Sequence, residues 1–182
     1  MTLHTVGHGT LAADDLARLL GDAGMTRVVD IRSHPGSRRH PQFGRPAMER
    51  WLPEHELEYA WEPRLGGRRS PRPDTPHTAL TVPAFRGYAD HMQTPEFMSA
   101  LDAVLAGAAE RPTTVMCAES VWWRCHRRLL SDAAVLLRRA RVLHLFHDGR
   151  VAEHHPMEEA RVEAGHLVYD AGRSPLPGTT SA

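Results

Sequence analysis

Val115-Met-Cys-Ala-Glu-Ser-Val-Trp-Trp-Arg-Cys-His-Arg-Arg128 begins as an apolar, β-prone run and sets a thiol and a carboxylate at its end. It then delivers a second thiol, an imidazole and several guanidiniums into a helical pattern. Pro112 introduces the strand Thr113-Thr-Val-Met-Cys117, and beyond the polar stretch Leu129, Leu130, Ala133, Ala134 and Leu137 share one helical face. A buried strand feeding an amphipathic helix is the unit of an α/β fold. Ligands gather in such folds where strand carboxyl ends meet helix amino ends, so this junction is a site candidate as well as a fold marker.

The same unit recurs toward the amino terminus. Residues 3 to 7 read as a strand that turns at Gly7-His8-Gly9-Thr10. Leu11, Leu16, Leu19 and Leu20 then give a helical apolar face, with Thr10 as N-cap, Asp14 and Asp15 in the first turn and Gly24 as the stop. A second strand spans residues 26 to 31, and a strand-helix-strand order implies a right-handed crossover between parallel strands. The loop Ser33 to Arg45 carries Arg38, Arg39 and Arg45 with no acid, and a helix follows from Pro46. Residues 57 to 61 alternate as a third strand, and residues 64 to 83 form a long loop, a candidate lid, with four arginines before its first acid.

Phe85 to Met92 reads as a short helix presenting Arg86, Tyr88 and His91, followed by a longer helix capped by Thr94. Residues 141 to 146 form a further strand, and the turn His147-Asp-Gly149 returns Val151-Ala-Glu153 as a hairpin arm. The sum is five or six strands alternating with four or five helices. That is a three-layer, mostly parallel, Rossmann-like α/β domain with helices on both faces. It is expected to occupy residues 1–155, with 156–182 an extension that is disordered from about residue 170.

Composition bounds the function. The chain of 182 residues is 41% hydrophobic and 24% charged, enough for one domain with a substantial core. It has no apolar run of about 18 residues. Its start, Met1-Thr-Leu-His-Thr-Val, lacks the regions of a signal peptide, so a cytoplasmic protein with no membrane partner is expected. A formal net charge of +0 argues against broad, sequence-independent DNA binding. All 22 basic residues are Arg, so it is their clustering, rather than their type, that is informative.

Candidate catalytic groups at the strand ends are His8, Asp30, Cys117 and Glu119. Candidate binding groups are Arg32, Arg38, Arg39, Arg68, Arg69, Arg86, Tyr88, Trp123, Cys125, His126 and Arg127. The leading expectation is an enzyme acting on a nucleotide or nucleic acid. In it, Arg loops hold phosphate, Tyr88, Trp122 or Trp123 stacks a base, and Asp30 or Glu119 acts as general acid, base or nucleophile. Two carboxylates at adjacent strand ends would suit glycosidic-bond chemistry. The expected partner is therefore a phosphate-bearing small molecule or a nucleic acid.

A second reading makes Cys117 the nucleophile of a sulfurtransferase-like or phosphatase-like enzyme, since a helix start and nearby Arg lower a thiol pKa. Such anion cradles place Arg after five intervening residues, whereas Arg124 follows Cys117 after six. A third reading is a metal- or nucleic-acid-binding domain without catalysis. Cys117, Cys125 and His126, with His8, have the ligand types for zinc or iron. Their spacing matches no short zinc motif, and consecutive residues on a helix point about 100° apart, so no metal and no cofactor are assigned. In the plainest reading Cys117 is a core thiol, Glu119 pairs with Arg127, and Trp122 and Trp123 are packing residues.

The sequence resembles the bacterial family catalogued as domain of unknown function 488 over roughly residues 3 to 155. The resemblance is carried by Thr5-Val-Gly-His-Gly-Thr10, Val29-Asp-Ile-Arg-Ser-His-Pro-Gly-Ser-Arg-Arg39, Pro41-Gln-Phe43 and Leu65-Gly-Gly-Arg-Arg69. It continues through Phe85-Arg-Gly-Tyr-Ala-Asp-His-Met92, Met116-Cys-Ala-Glu119 and Cys125-His-Arg127. Some members carry a DNA-repair label, which is what the resemblance implies about function. Gly9 departs from the family's opening motif, where Ser is expected; the hydroxyl is then dispensable or supplied by Thr10.

Overall fold

The computed structural model describes residues 1–36 and 38–170. Strand alternation sorts the apolar side chains to two sides of a central sheet. Val28 and Val29, or Val115 and Met116, are neighbours in sequence but belong to different core clusters. One cluster takes Leu16, Leu19 and Leu20 of α1 (Ala13–Asp22) with Met48 and Leu52 of α2 (Arg45–Glu54). The other takes Tyr88 of α3 (Pro83–Met92), Leu101 and Val104 of α4 (Pro95–Glu110), and Leu129 and Leu130 of α5 (Arg127–Arg138). Helices therefore cover both faces, giving the three-layer, Rossmann-like arrangement.

The sheet has six strands in the order β3-β2-β4-β1-β5-β6. They are β1 (Thr2–Gly7), β2 (Arg27–Asp30), β3 (Glu58–Trp61), β4 (Thr113–Cys117), β5 (Arg141–Leu145) and β6 (Val151–Glu153). The first five run parallel, and β6 returns antiparallel on β5 as the hairpin arm. β4 lies between β1 and β2, so the carboxyl ends of all three emerge side by side.

Local signals explain most boundaries. Thr94 Oγ1 accepts the Phe97 N–H at 3.2 Å and caps α4, and Gly24 ends α1 with φ +69°. The α1 cap differs from expectation: it falls on Ala12, whose side chain makes no cap bond. Thr10 still belongs to the turn that leaves β1, two residues too early to reach the helix amides. The segment 66–82 forms no helix or strand, yet it is pinned to α3. Buried Asp90 accepts from the Arg72 N–H at 2.8 Å and from Thr75 Oγ1 at 2.8 Å.

Packing continues past residue 155. β7 (Ala160–Glu163) and β8 (His166–Tyr169) form a second, two-stranded sheet. Tyr169 is fully buried and donates to Asp132 Oδ2 on α5 at 3.0 Å. The pairing of β7 with β8 escapes a sequence reading because Val162 is exposed and the strands are only four residues long. The disorder expected from about residue 170 concerns residues 171–182, which lie outside the described ones. Among the described residues, no helix is long and apolar enough to cross a membrane.

Candidate active site

The carboxyl ends of β1, β2 and β4 open into a cavity of about 450 Å³. Its wall is built by the segments that leave those strands and by Gly67-Arg68 from the long loop, so four separate stretches of chain converge. The side chains on it include His8, Arg32, Arg68, Cys117, Glu119 and His126.

Asp30 lies beneath this wall. It is 0% exposed, and Arg32, 8% exposed, grips it through Nε at 2.8 Å and Nη2 at 2.6 Å. Tyr59 donates to the same carboxylate at 2.9 Å, so both oxygens are occupied. Burial and the adjacent Asp30 charge push the Tyr59 hydroxyl above its ordinary range. Arg32 also donates from Nη1 to His8 Nε2 at 3.1 Å, while His8 Nδ1 donates to the Gly9 carbonyl at 3.0 Å. Both ring nitrogens are thereby engaged, and the ring stacks on Phe43 at 4.1 Å. Burial, then the Arg32 charge, lower the His8 pKa to about 4, so the imidazole is neutral at pH 7. Asp30, Arg32 and His8 form one rigid, internally neutralised support.

Cys117 ends β4, and the chain then crosses the end of β1. His8 N–H bonds the Cys117 carbonyl and Gly9 N–H the Ala118 carbonyl, each at 2.9 Å. Arg127, only 1% exposed, reaches back under this crossing and donates from Nη2 to the carbonyls of Glu119 and Ser120. A side chain at Gly7 would strike the Glu119 carbonyl, which is why the crossing needs glycine there. At Gly9, with φ +53°, the space for a side chain is filled by Ser120 Oγ. Ser120 and Thr10 both line the cavity beside this glycine.

After a one-turn helix at Trp122–Arg124 the chain returns over Cys117. Cys125 is extended, with φ −124° and ψ 154°, and α5 begins only at Arg127. The 100° divergence expected for consecutive helical residues therefore does not apply to Cys125 and His126. His126 Nδ1 sits 3.8 Å from Cys117 Sγ and 3.6 Å from Cys125 Sγ. One donor atom from each of the three residues lies within 4.8 Å of the others, the grouping among the described residues able to hold a metal ion. The neighbouring Cys125 thiol and burial raise the Cys117 pKa, and the Cys117 thiol, helped by His126 and Arg127, lowers that of Cys125.

A family model described as "Domain of unknown function DUF488" matches residues 12–134. The chain belongs to this family. No curated protein and no solved structure matches it.

Most of the motif segments that carry the family resemblance meet at the cavity, although Pro41–Phe43 and residues 85–92 do not line it and not every candidate residue reaches it. His8, Arg32, Arg68, Cys117, Glu119 and His126 are on the wall, and Cys125 stands directly behind it. Arg38, Arg39, Arg69, Arg86 and Trp123 are not on it. Arg69 donates to the Gly66 carbonyl at 3.3 Å, and Trp123, 44% exposed, lies beside Phe146. Tyr88 is fully buried, its hydroxyl donating to the Leu65 carbonyl at 2.9 Å, so it holds the 63–67 turn and offers no face to a base. Arg127 bonds the backbone of Glu119 and leaves its carboxylate exposed to the cavity. Ser33, His34, His40 and Ser120 line the cavity without having stood out in the sequence. Their signal was position, within one or two residues of a strand-end motif.

Proposed function

We propose that this chain is a hydrolytic enzyme for a small, phosphate-bearing substrate of nucleotide size. The observation that carries the reading is the cavity of about 450 Å³ at three adjacent strand ends, whose lining includes both Arg68 and Glu119. Among the described residues Arg68 has no acidic partner, so its guanidinium is available to an anionic group. Glu119 is exposed to the cavity and serves as general base toward water. A bounded cavity and a formal net charge of +0 favour a small molecule over a nucleic-acid duplex.

The two-carboxylate scheme for a glycosidic bond loses its second member, because Asp30 lies beneath Arg32 and off the cavity wall. A thiol mechanism is disfavoured by geometry. Arg124 is exposed and off the wall, and Arg127 is committed to two loop carbonyls, so neither arginine that follows Cys117 in the chain closes an anion cradle around it.

Calorimetric titration with inorganic phosphate and a panel of nucleoside monophosphates tests the reading. At least one ligand should bind, and Arg68→Met should weaken it about tenfold or more, the loss of one charge-assisted contact. Glu119→Gln should keep that binding and lower product formation by about 10²-fold or more, as loss of a general base does. Absence of binding to every probe, or an Arg68→Met protein that binds as well as wild type, overturns it.

A further inference from the structure

We infer that Cys117, Cys125 and His126 form a zinc site with one open coordination position facing the cavity. With zinc–sulfur bonds of about 2.3 Å and zinc–nitrogen bonds of about 2.0–2.1 Å, a tetrahedral ion holds nitrogen and sulfur ligands about 3.6 Å apart. His126 Nδ1 stands 3.6 and 3.8 Å from the two Sγ atoms, so both nitrogen–sulfur spacings already fit, and the two sulfurs lie within 4.8 Å of each other. A single proton on Nδ1 serves one sulfur well and the other poorly, whereas a metal ion between them satisfies all three donors at once.

The surroundings hold the donors in place. Cys117 is fixed by the β4 ladder, and Arg127 clamps the loop that carries the chain away from it. The His126 ring is packed between Gly67 and Tyr88: a Cβ at position 67 would come within 2.7 Å of Nδ1, and the Tyr88 ring centre is 5.0 Å away. Packing orients the imidazole, since its Nε2 is buried with no hydrogen-bond partner among the described residues. His8 is not a fourth ligand, because both its nitrogens are engaged by Gly9 and Arg32.

Three protein ligands and an open face toward a substrate cavity are the pattern of catalytic rather than structural zinc. Cys117 and His126 both line the cavity, so the fourth position opens into it, and Glu119 lines the same cavity. The catalytic half of the inference rests on the hydrolytic reading above. Water at the fourth position would give a proton to Glu119 as its oxygen bonds to the substrate's electrophilic atom, and that proton would pass to the leaving group as the bond between that atom and the leaving group breaks. Water is the only co-reactant consumed.

The test is the metal content of untagged full-length protein expressed with zinc in the medium, measured by elemental analysis beside thiol titration. About one zinc per chain is expected. Cys117→Ser and His126→Ala should each lower it at least fivefold, with circular dichroism checking that the fold survives. Should either variant fail to fold, the wild type decides: chelation followed by cobalt(II) should give sulfur-to-metal charge-transfer bands and the intense visible bands of a tetrahedral ion. Negligible zinc, no cobalt–sulfur band, or a Cys117–Cys125 disulfide in freshly purified protein overturns the site. Glu119→Gln separates the two proposals, because it should retain full zinc while losing turnover. Zinc in place with Glu119→Gln fully active sinks the hydrolytic reading alone, and Arg68-dependent ligand binding without zinc sinks the metal alone.

Discussion

Asp30→Asn removes one charge from the pair beneath the cavity wall while keeping nearly the same shape. The wild-type carboxylate, 0% exposed, receives Arg32 Nε at 2.8 Å, Arg32 Nη2 at 2.6 Å, the Arg32 N–H at 3.1 Å and the Tyr59 hydroxyl at 2.9 Å. The amide of the variant can accept through one end only, and its NH₂ faces a donor. Arg32, 8% exposed, is left as a buried charge without a counter-ion. Breaking one side of such a buried pair costs about 3–5 kcal/mol. At roughly 2–4 °C per kcal/mol for a chain of this size, the midpoint of thermal unfolding should fall by roughly 6–20 °C. Unfolding followed by circular dichroism in heat and in urea measures it. The double variant Asp30→Asn with Arg32→Met should recover part of the loss, since no unmatched charge remains. An Asp30→Asn protein with the wild-type midpoint but no activity would refute the reasoning, because the carboxylate would then be a reacting group.

Two further outcomes follow from buried groups outside the reaction. His8 and His144 have pKa values lowered to about 4 and about 3, both chiefly by burial, against an unfolded value of 6.5. A histidine held neutral in the fold stabilises it fully above pH 6.5, and this stability is lost as pH falls toward the folded value, by on the order of 3 kcal/mol for a shift the size of that at His8. Urea unfolding at a series of pH values between 7 and 4 should show that decline, flatter in His8→Gln; stability that rises on acidification contradicts it. Tyr169→Phe removes the hydroxyl that donates to Asp132 Oδ2 at 3.0 Å and should cost about 1.5–3 kcal/mol by urea denaturation. A neutral result would mean that this hydrogen bond contributes nothing net to stability.

Much of this was legible in the chain itself. β4 shows as an apolar run ending at Cys117, α4 as a periodic face behind Thr94 and Pro95, and the hairpin of β5 and β6 as a turn signal at Asp148-Gly149. Each depends on interactions within a few residues, which is why pattern alone finds it. The charge state of the arginines was not legible in the same way. Arg32, Arg68, Arg69 and Arg127 look alike in sequence, and only tertiary partners distinguish a paired support, an available cation and two binders of backbone carbonyls.

The sequence by itself determined the α/β class and, through its motifs, the family, and it pointed to the strand ends as the candidate site, because strand and helix periodicities and strand-end polarity are local properties. Only the tertiary structure decided what the site contains. It buries Asp30 as the counter-ion of Arg32, and it brings His126 back to 3.8 and 3.6 Å from the Cys117 and Cys125 sulfurs, with the chain extended at Cys125 and α5 beginning at Arg127. The physical reason is that donor distance and counter-ion identity are set by contacts between residues far apart in the chain, such as Gly67 on His126, which spacing along the sequence does not encode.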